Sequence, residues 1–248
     1  MTAGRLLVRT TGELVMTLGV LLLLFLAWQL WWTDVEADRA QARTTAALEE
    51  QWDALASGQD GAAPARPEPA AEPDPVAADP VLAALPSEAV ALLRVPAFGD
   101  DYVRPVVAGT GELELQQGIG HYDGTAGPGE VGNFAIAGHR TTYGAPFNPI
   151  AELRTGDPVV VETATEFHVY RVQASRIVLP TDVEVIAPVP DRPGEEPTEA
   201  WLTMTSCHPM FSARERYVVH ALLESSTPRA DGRPDVLAAA SAATGGGA

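Results

Sequence analysis

The chemistry available to this chain gathers around one thiol. Cys207 is the only cysteine in 248 residues, so no disulfide can form within the chain. Its surroundings alone decide whether it is a small buried hydrophobe or a reactive group. It follows the β-prone run Trp201–Ser206, and Pro209, which cannot donate to a ladder, stops that strand shortly after. A second run opens near Arg216 and continues through Leu223. Two strands joined by so short a loop are neighbours, which sets Cys207 against Arg216 at one sheet edge. A guanidinium there favours the thiolate and can hydrogen-bond a developing oxyanion. Along the second strand Arg216, Val218, His220 and Leu222 share a face. By spacing alone, a packed cysteine beside a solvated arginine fits equally well.

A thiol with a pKa of ~8.5 is mostly protonated at neutral pH, so a cysteine nucleophile needs an imidazole partner. Five histidines are available. His168 alternates within a strand and reads as exposed, and His220 reads as packed in the last strand. His208 adjoins the thiol and points away from it. His121 and His139 sit in loops after glycine, in GIGHYDGT and IAGHRTTYG. His139 directly follows the apolar run Gly132–Ala137, a position suited to a group held on a rigid scaffold.

The segments GHYDGTAGPGEVGNFAIAGHR, LTMTSCHP and ERYVVHAL together resemble the sortases, over roughly Glu88–Leu223 and in that family's motif order. The resemblance implies an all-β domain, a closed eight-stranded barrel with one or two short helices. It implies Cys207 as nucleophile, His139 as acid/base partner and Arg216 as the stabiliser of transition-state charge. The reaction implied is a two-step acyl transfer on surface proteins that carry a C-terminal sorting signal. Cys207 attacks the Thr–Gly bond of that signal, His139 protonates the departing amine, and a second amine resolves the thioester. In sortases that amine typically belongs to a cell-wall precursor such as lipid II. The family strand ends T-L-x-T-C, whereas here Met204 and Ser206 stand at the altered positions, which implies changed substrate detail.

The runs AGHRTTYG and CHPMFSARERY look most like the class E sortases of high-GC Gram-positive bacteria, the actinobacteria, which are associated with LAXTG-type signals in place of LPXTG. Tyr143, Thr205, Ser206 and His121 are then candidate substrate-binding residues, although Tyr143 reads equally well as loop packing. The resemblance implies no cofactor, and no acidic cluster has the spacing of a calcium loop. Three alternatives remain. A pilin-polymerising class C enzyme carries Asp-Pro-aromatic in its lid, but Asp74-Pro75 and Asp79-Pro80 are each followed by valine. A papain-like hydrolase places its cysteine before its histidine, the reverse of this order. An idle binding module leaves the intact Cys/His/Arg set unexplained.

These groups need elements to position them. Short β-prone runs separated by turn residues predict strands at Ala89–Val95, Tyr102–Val107, Gly132–Ala137, Pro158–Thr163, Glu166–Val178, Asp182–Ile186, Trp201–Ser206 and Tyr217–Leu223. Asn148 is placed to cap a short helix through Leu153. Ahead of this domain, 88–226, lie three other regions. Residues 14–32 carry no charge and approach the ~20 needed to span a bilayer. Arg5 and Arg9 precede that run and Asp34, Glu36 and Asp38 follow it, so the positive-inside rule puts the N-terminus in the cytoplasm and the domain outside. A cleaved signal peptide is the competing reading of 1–33. Residues 34–56 read as a membrane-proximal helix, 57–87 as a Pro/Ala/acidic stalk, and 227–248 as a disordered tail. The formal charge of −17 excludes a nucleic-acid partner, because phosphate binding needs a basic face.

Overall fold

Runs of Val, Ile, Leu and Ala that turn one face toward a common interior build the main body of this protein. The computed structural model describes residues 3–56 and 89–237, with the side chains of 3–8, 26, 27, 29–31 and 33 outside the description. Eight strands form it: β1 (Ala89–Arg94), β2 (Val103–Ala108), β3 (Ile119–His121), β4 (Gly132–Gly138), β5 (Pro158–Glu162), β6 (Glu166–Val178), β7 (Ala200–His208) and β8 (Glu215–Pro228). They close into a barrel in the order β1-β2-β3-β4-β7-β8-β6-β5. Leu93, Phe134, Ile136, Phe147, Tyr170, Leu202, Met204 and Val219 fill its interior. Closure leaves no free edge to template aggregation.

Two pairings in this barrel are parallel, β2 with β3 and β4 with β7. The first needs a crossover, which the six-residue helix α2 (Glu112–Gln117) supplies. Strand β3 was missed in the sequence because it is only three residues long and carries a glycine. That glycine is required: a Cβ on Gly120 would stand 2.4 Å from the carbonyl oxygen of Gly109.

The predicted strand at Asp182–Ile186 is instead a 3-10 turn over Val183–Ile186, in the connection between β6 and β7. Its alternating Val-Glu-Val pattern mimics a strand. The backbone is turned by Asp182, whose carboxylate accepts from the Leu179 amide at 2.8 Å, and Pro180 and Pro188 flank the segment without N–H groups. Asn148 caps no helix. Its side chain donates to the Arg140 carbonyl at 3.0 Å, and the 3-10 turn Ile150–Glu152 starts from Pro149. His168 is buried rather than exposed and is hydrogen-bonded to Ser226 Oγ at 2.8 Å. Strand β8 runs past the expected boundary at 227, and Arg229 beyond it packs into the body of the protein. Residues 57–88 and 238–248, which include the expected stalk and half of the expected tail, lie outside the described residues.

The long helix α1 (Ala3–Ala56) precedes the barrel. The predicted bilayer-crossing run, 14–32, gains no support here. No helix among the described residues is long and apolar enough to cross a membrane, and the run includes several side chains outside the description. Leu14 to Leu24 do present exposed apolar side chains on every side of the helix. The C-terminal half behaves differently: Ala37, Gln41, Thr45 and Trp52, spaced at three to four residues or multiples of it, are buried. Asp38 pairs with Arg104 at 3.2 Å, Asp53 with Arg229 at 2.8 Å, and Glu49 with Arg94, so this half docks on the barrel.

Candidate active site

Register builds the site. In the parallel pair, Gly138, the last residue of β4, lies beside Ser206 of β7, so His139, just past the end of β4, comes beside Cys207, the penultimate residue of β7. Neighbouring strands lie only about 4.8 Å apart. In the antiparallel pair, Cys207 is the direct partner of Arg216 on β8. Three strand ends thus bring a thiol, an imidazole and a guanidinium to one rim of the barrel. The expected pairing of Cys207 with Arg216 across the β7–β8 connection is what the register shows.

Cys207 is a free, half-buried thiol. Burial pushes the His139 pKa below its ordinary value, opposed by the weaker pull of the Glu112 carboxylate. The imidazole is therefore neutral at pH 7, and its Nε2 is buried with no hydrogen-bond partner among the described residues. The Tyr143 ring packs against it with centroids 5.0 Å apart. Arg216 is oriented by the β7–β8 connection: its Nη1 donates to the carbonyls of Ala213 at 2.9 Å and Glu215 at 3.1 Å. Arg140, the residue after His139, is buried among carbonyls, donating through Nε to Asn148 at 2.8 Å and through Nη1 to Cys207 at 3.4 Å. It braces the backbone at the thiol, a role its place in the AGHR run did not reveal.

A cleft of about 180 Å³ opens beside these groups. Val178, Leu179, Val183, Val185 and Ile186 form an apolar wall, and Tyr122, Thr205 and Arg216 form a polar end. Tyr122 was not singled out in the sequence, yet its hydroxyl meets Thr205 Oγ1 at 3.0 Å within the cleft. A larger, shallower depression of about 460 Å³ beside Glu152 and Asp157 is lined by none of the site residues, whereas Arg216, and Thr205 two residues before the thiol, line the smaller cleft, which is therefore the candidate site.

Of the four residues expected to touch substrate, Thr205 lines the cleft and Tyr143 abuts His139. Ser206 and His121 are not brought there. Side chains alternate along β7, so Ser206 turns away from the face of Thr205 and Cys207 and donates to the Gly138 carbonyl at 2.8 Å. His121 is taken up by Thr125 Oγ1 at 2.9 Å and the Ala126 carbonyl at 3.0 Å, with its ring against Phe134.

Comparison with known proteins agrees with this geometry. The sortase domain matches residues 93–224, more than half of the chain. The chain belongs to the sortase family. Sortase SrtE1 of Streptomyces coelicolor is 35% identical over 237 residues, covering 92% of this chain and 60% of that protein. The solved sortase E of Streptomyces avermitilis is 42% identical with a TM-score of 0.56, covering 60% of this chain and 97% of that one. Sortase E1 of S. coelicolor, solved with a tripeptide in its active site, is 37% identical with a TM-score of 0.56, covering 61% of this chain and 98% of the other. The class E likeness read from the sequence thus extends to the fold. This chain spans 60% of the length of the first of these relatives.

Proposed function

We propose that this sortase cleaves a C-terminal sorting signal of the LAXTG or LPXTG kind between Thr and Gly and transfers the upstream protein to a cell-wall amine. The observation that carries the reading is the convergence of His139, Cys207 and Arg216 at the ends of β4, β7 and β8 beside an apolar cleft. The neutral His139 imidazole takes the proton of the Cys207 thiol, the thiolate so formed attacks the threonine carbonyl carbon, and the carbonyl electron pair moves to the oxygen, where Arg216 stabilises it. As the C–N bond breaks, the imidazolium of His139 gives its proton to the departing glycine amine, leaving a thioester. An incoming amine, such as that of lipid II, attacks the thioester, loses its proton to His139 and releases the thiolate. The apolar wall suits the aliphatic residue that opens such a signal. Anchoring through residues 14–32, with the N-terminus in the cytoplasm and the barrel outside, fits the exposed apolar face of Leu14 to Leu24 and a substrate presented at the cell surface.

The test is mass spectrometry of the full chain in detergent micelles with LAXTG and LPXTG peptides. A thioester adduct on Cys207 is expected, converting to transfer product when amine is added, and Cys207→Ala should form none. An adduct on Cys207→Ala, or free acid with no amine-dependent product, would overturn the transpeptidase reading.

A further inference from the structure

The residue whose ring touches His139 is itself held by a distant helix. Tyr143, Gly144 and Ala145 all have left-handed backbones, with φ of 53°, 73° and 41°. Such a turn persists only when its surroundings over-determine it, since two of the three carry a Cβ. What surrounds it is α1. Gln41 is 1% exposed, and its Nε2 donates to the Tyr143 carbonyl at 3.0 Å. Asp34 accepts from the Gly144 amide at 3.4 Å. Space is equally tight: a Cβ on Gly144 would stand 2.7 Å from Asp38 Oδ1 and 3.3 Å from Gln41 Nε2. The His139 carbonyl closes the same loop by accepting from the Phe147 amide at 3.0 Å.

We infer that the membrane-proximal half of α1 positions the acid/base site, with Gln41 as the positioning residue that fixes the Tyr143 turn and through it the His139 ring. The inference deepens the transpeptidase reading and rests on it for the role of His139. It makes the helix more than a spacer: undocking it frees the turn and lets water reach the imidazole. Besides Tyr143, the titratable and charged groups around His139 are Glu112 on α2, Arg140 beside it, Cys207 and Arg216 across the rim, and Asp34 and Asp38 on α1. None of these changes in the variants below.

The full chain in detergent micelles provides the test, with the His139 ring followed by NMR titration and thioester formation followed in parallel. Gln41→Met keeps the length and packing of the side chain but removes the donor. Gly144→Ala attacks the same contact from the turn's side. Both are expected to move the His139 midpoint up toward its ordinary value. They should also slow thioester formation about tenfold at little change in KM, part of the ~10²-fold that a misplaced reacting group can cost. Arg43→Ala, on the exposed face of the same helix, should change neither. A His139 midpoint and thioester rate in Gln41→Met and Gly144→Ala equal to those of the wild type would overturn the inference. If one variant does not fold, the other decides. If the wild type forms no thioester, the transpeptidase reading fails, and the His139 titration still decides whether the helix holds the ring.

Discussion

At the scale of single residues, the arrangement asks what Arg216 contributes. Its Nη1 is spent on two loop carbonyls, which fixes the direction of the guanidinium at the cleft. If it acts by directed hydrogen bonds to the oxyanion, a lysine with the same charge cannot replace it, because the planar fork is lost. Arg216→Lys should then lower turnover with a sorting peptide by ~10²–10³, the usual loss for one oxyanion donor. Turnover within a few-fold of wild type would instead assign Arg216 to thiolate stabilisation by charge alone. Arg214, exposed in the connection two residues earlier, serves as the control and should tolerate alanine.

At the scale of elements, one buried carboxylate ties four segments together. Glu162 at the end of β5 is 1% exposed and accepts from Arg94 Nε of β1 at 2.7 Å and Arg229 Nε, beyond β8, at 2.9 Å. The same arginines reach Glu49 and Asp53 on α1, and Arg229 also lies over the Trp52 ring. Glu162→Ala leaves two largely buried guanidinium groups without their shared counter-charge. It should destabilise the protein by about 3–5 kcal/mol in urea unfolding, the range for breaking a buried ion pair. A loss under about 1 kcal/mol would show that Glu49 and Asp53 suffice to hold the arginines.

At the scale of the whole molecule, the buried histidines set the response to acid. Burial, and to a lesser degree the Arg176 charge, push the His220 pKa down to about 4. Asp191 is 3.7 Å from its Nε2, too far for a hydrogen bond, and that carboxylate is engaged by Arg176, so His220 stays neutral with Nδ1 at 2.9 Å from Thr203 Oγ1. The unfolded chain binds a proton near pH 6.5 that the folded one refuses until about pH 4. Stability attributable to His220 is therefore complete above pH 6.5 and falls through that window by about 1.4 kcal/mol per pH unit. His121, His139 and His168, all lowered first by burial, act in the same direction. Thermal melts of wild type and His220→Gln between pH 7 and 4.5 should show the shallower decline in the variant. Parallel declines would remove His220 from the acid response.

Local pattern determined a good part of this protein. Short β-prone runs were enough to indicate an all-β body, and one thiol at a strand end with a short connection to Arg216 was enough to specify the Cys207–Arg216 pair, because neighbours in sequence joined by a short loop pair in space. Period-two alternation also contains the information that separates Ser206 from Thr205, once the inner face of β7 is known. It does not say which non-consecutive strand lies alongside. The parallel pairing of β4 with β7, which brings His139 to Cys207, joins segments far apart in sequence and is selected by burying both strands in one closed core. The 3-10 turn at Val183–Ile186 was likewise decided by tertiary partners, since Asn133 and Thr203 take its Val185 carbonyl in place of a ladder. The docking of α1 on the Tyr143 turn follows the same logic: one buried amide finds its acceptor only after the barrel has closed.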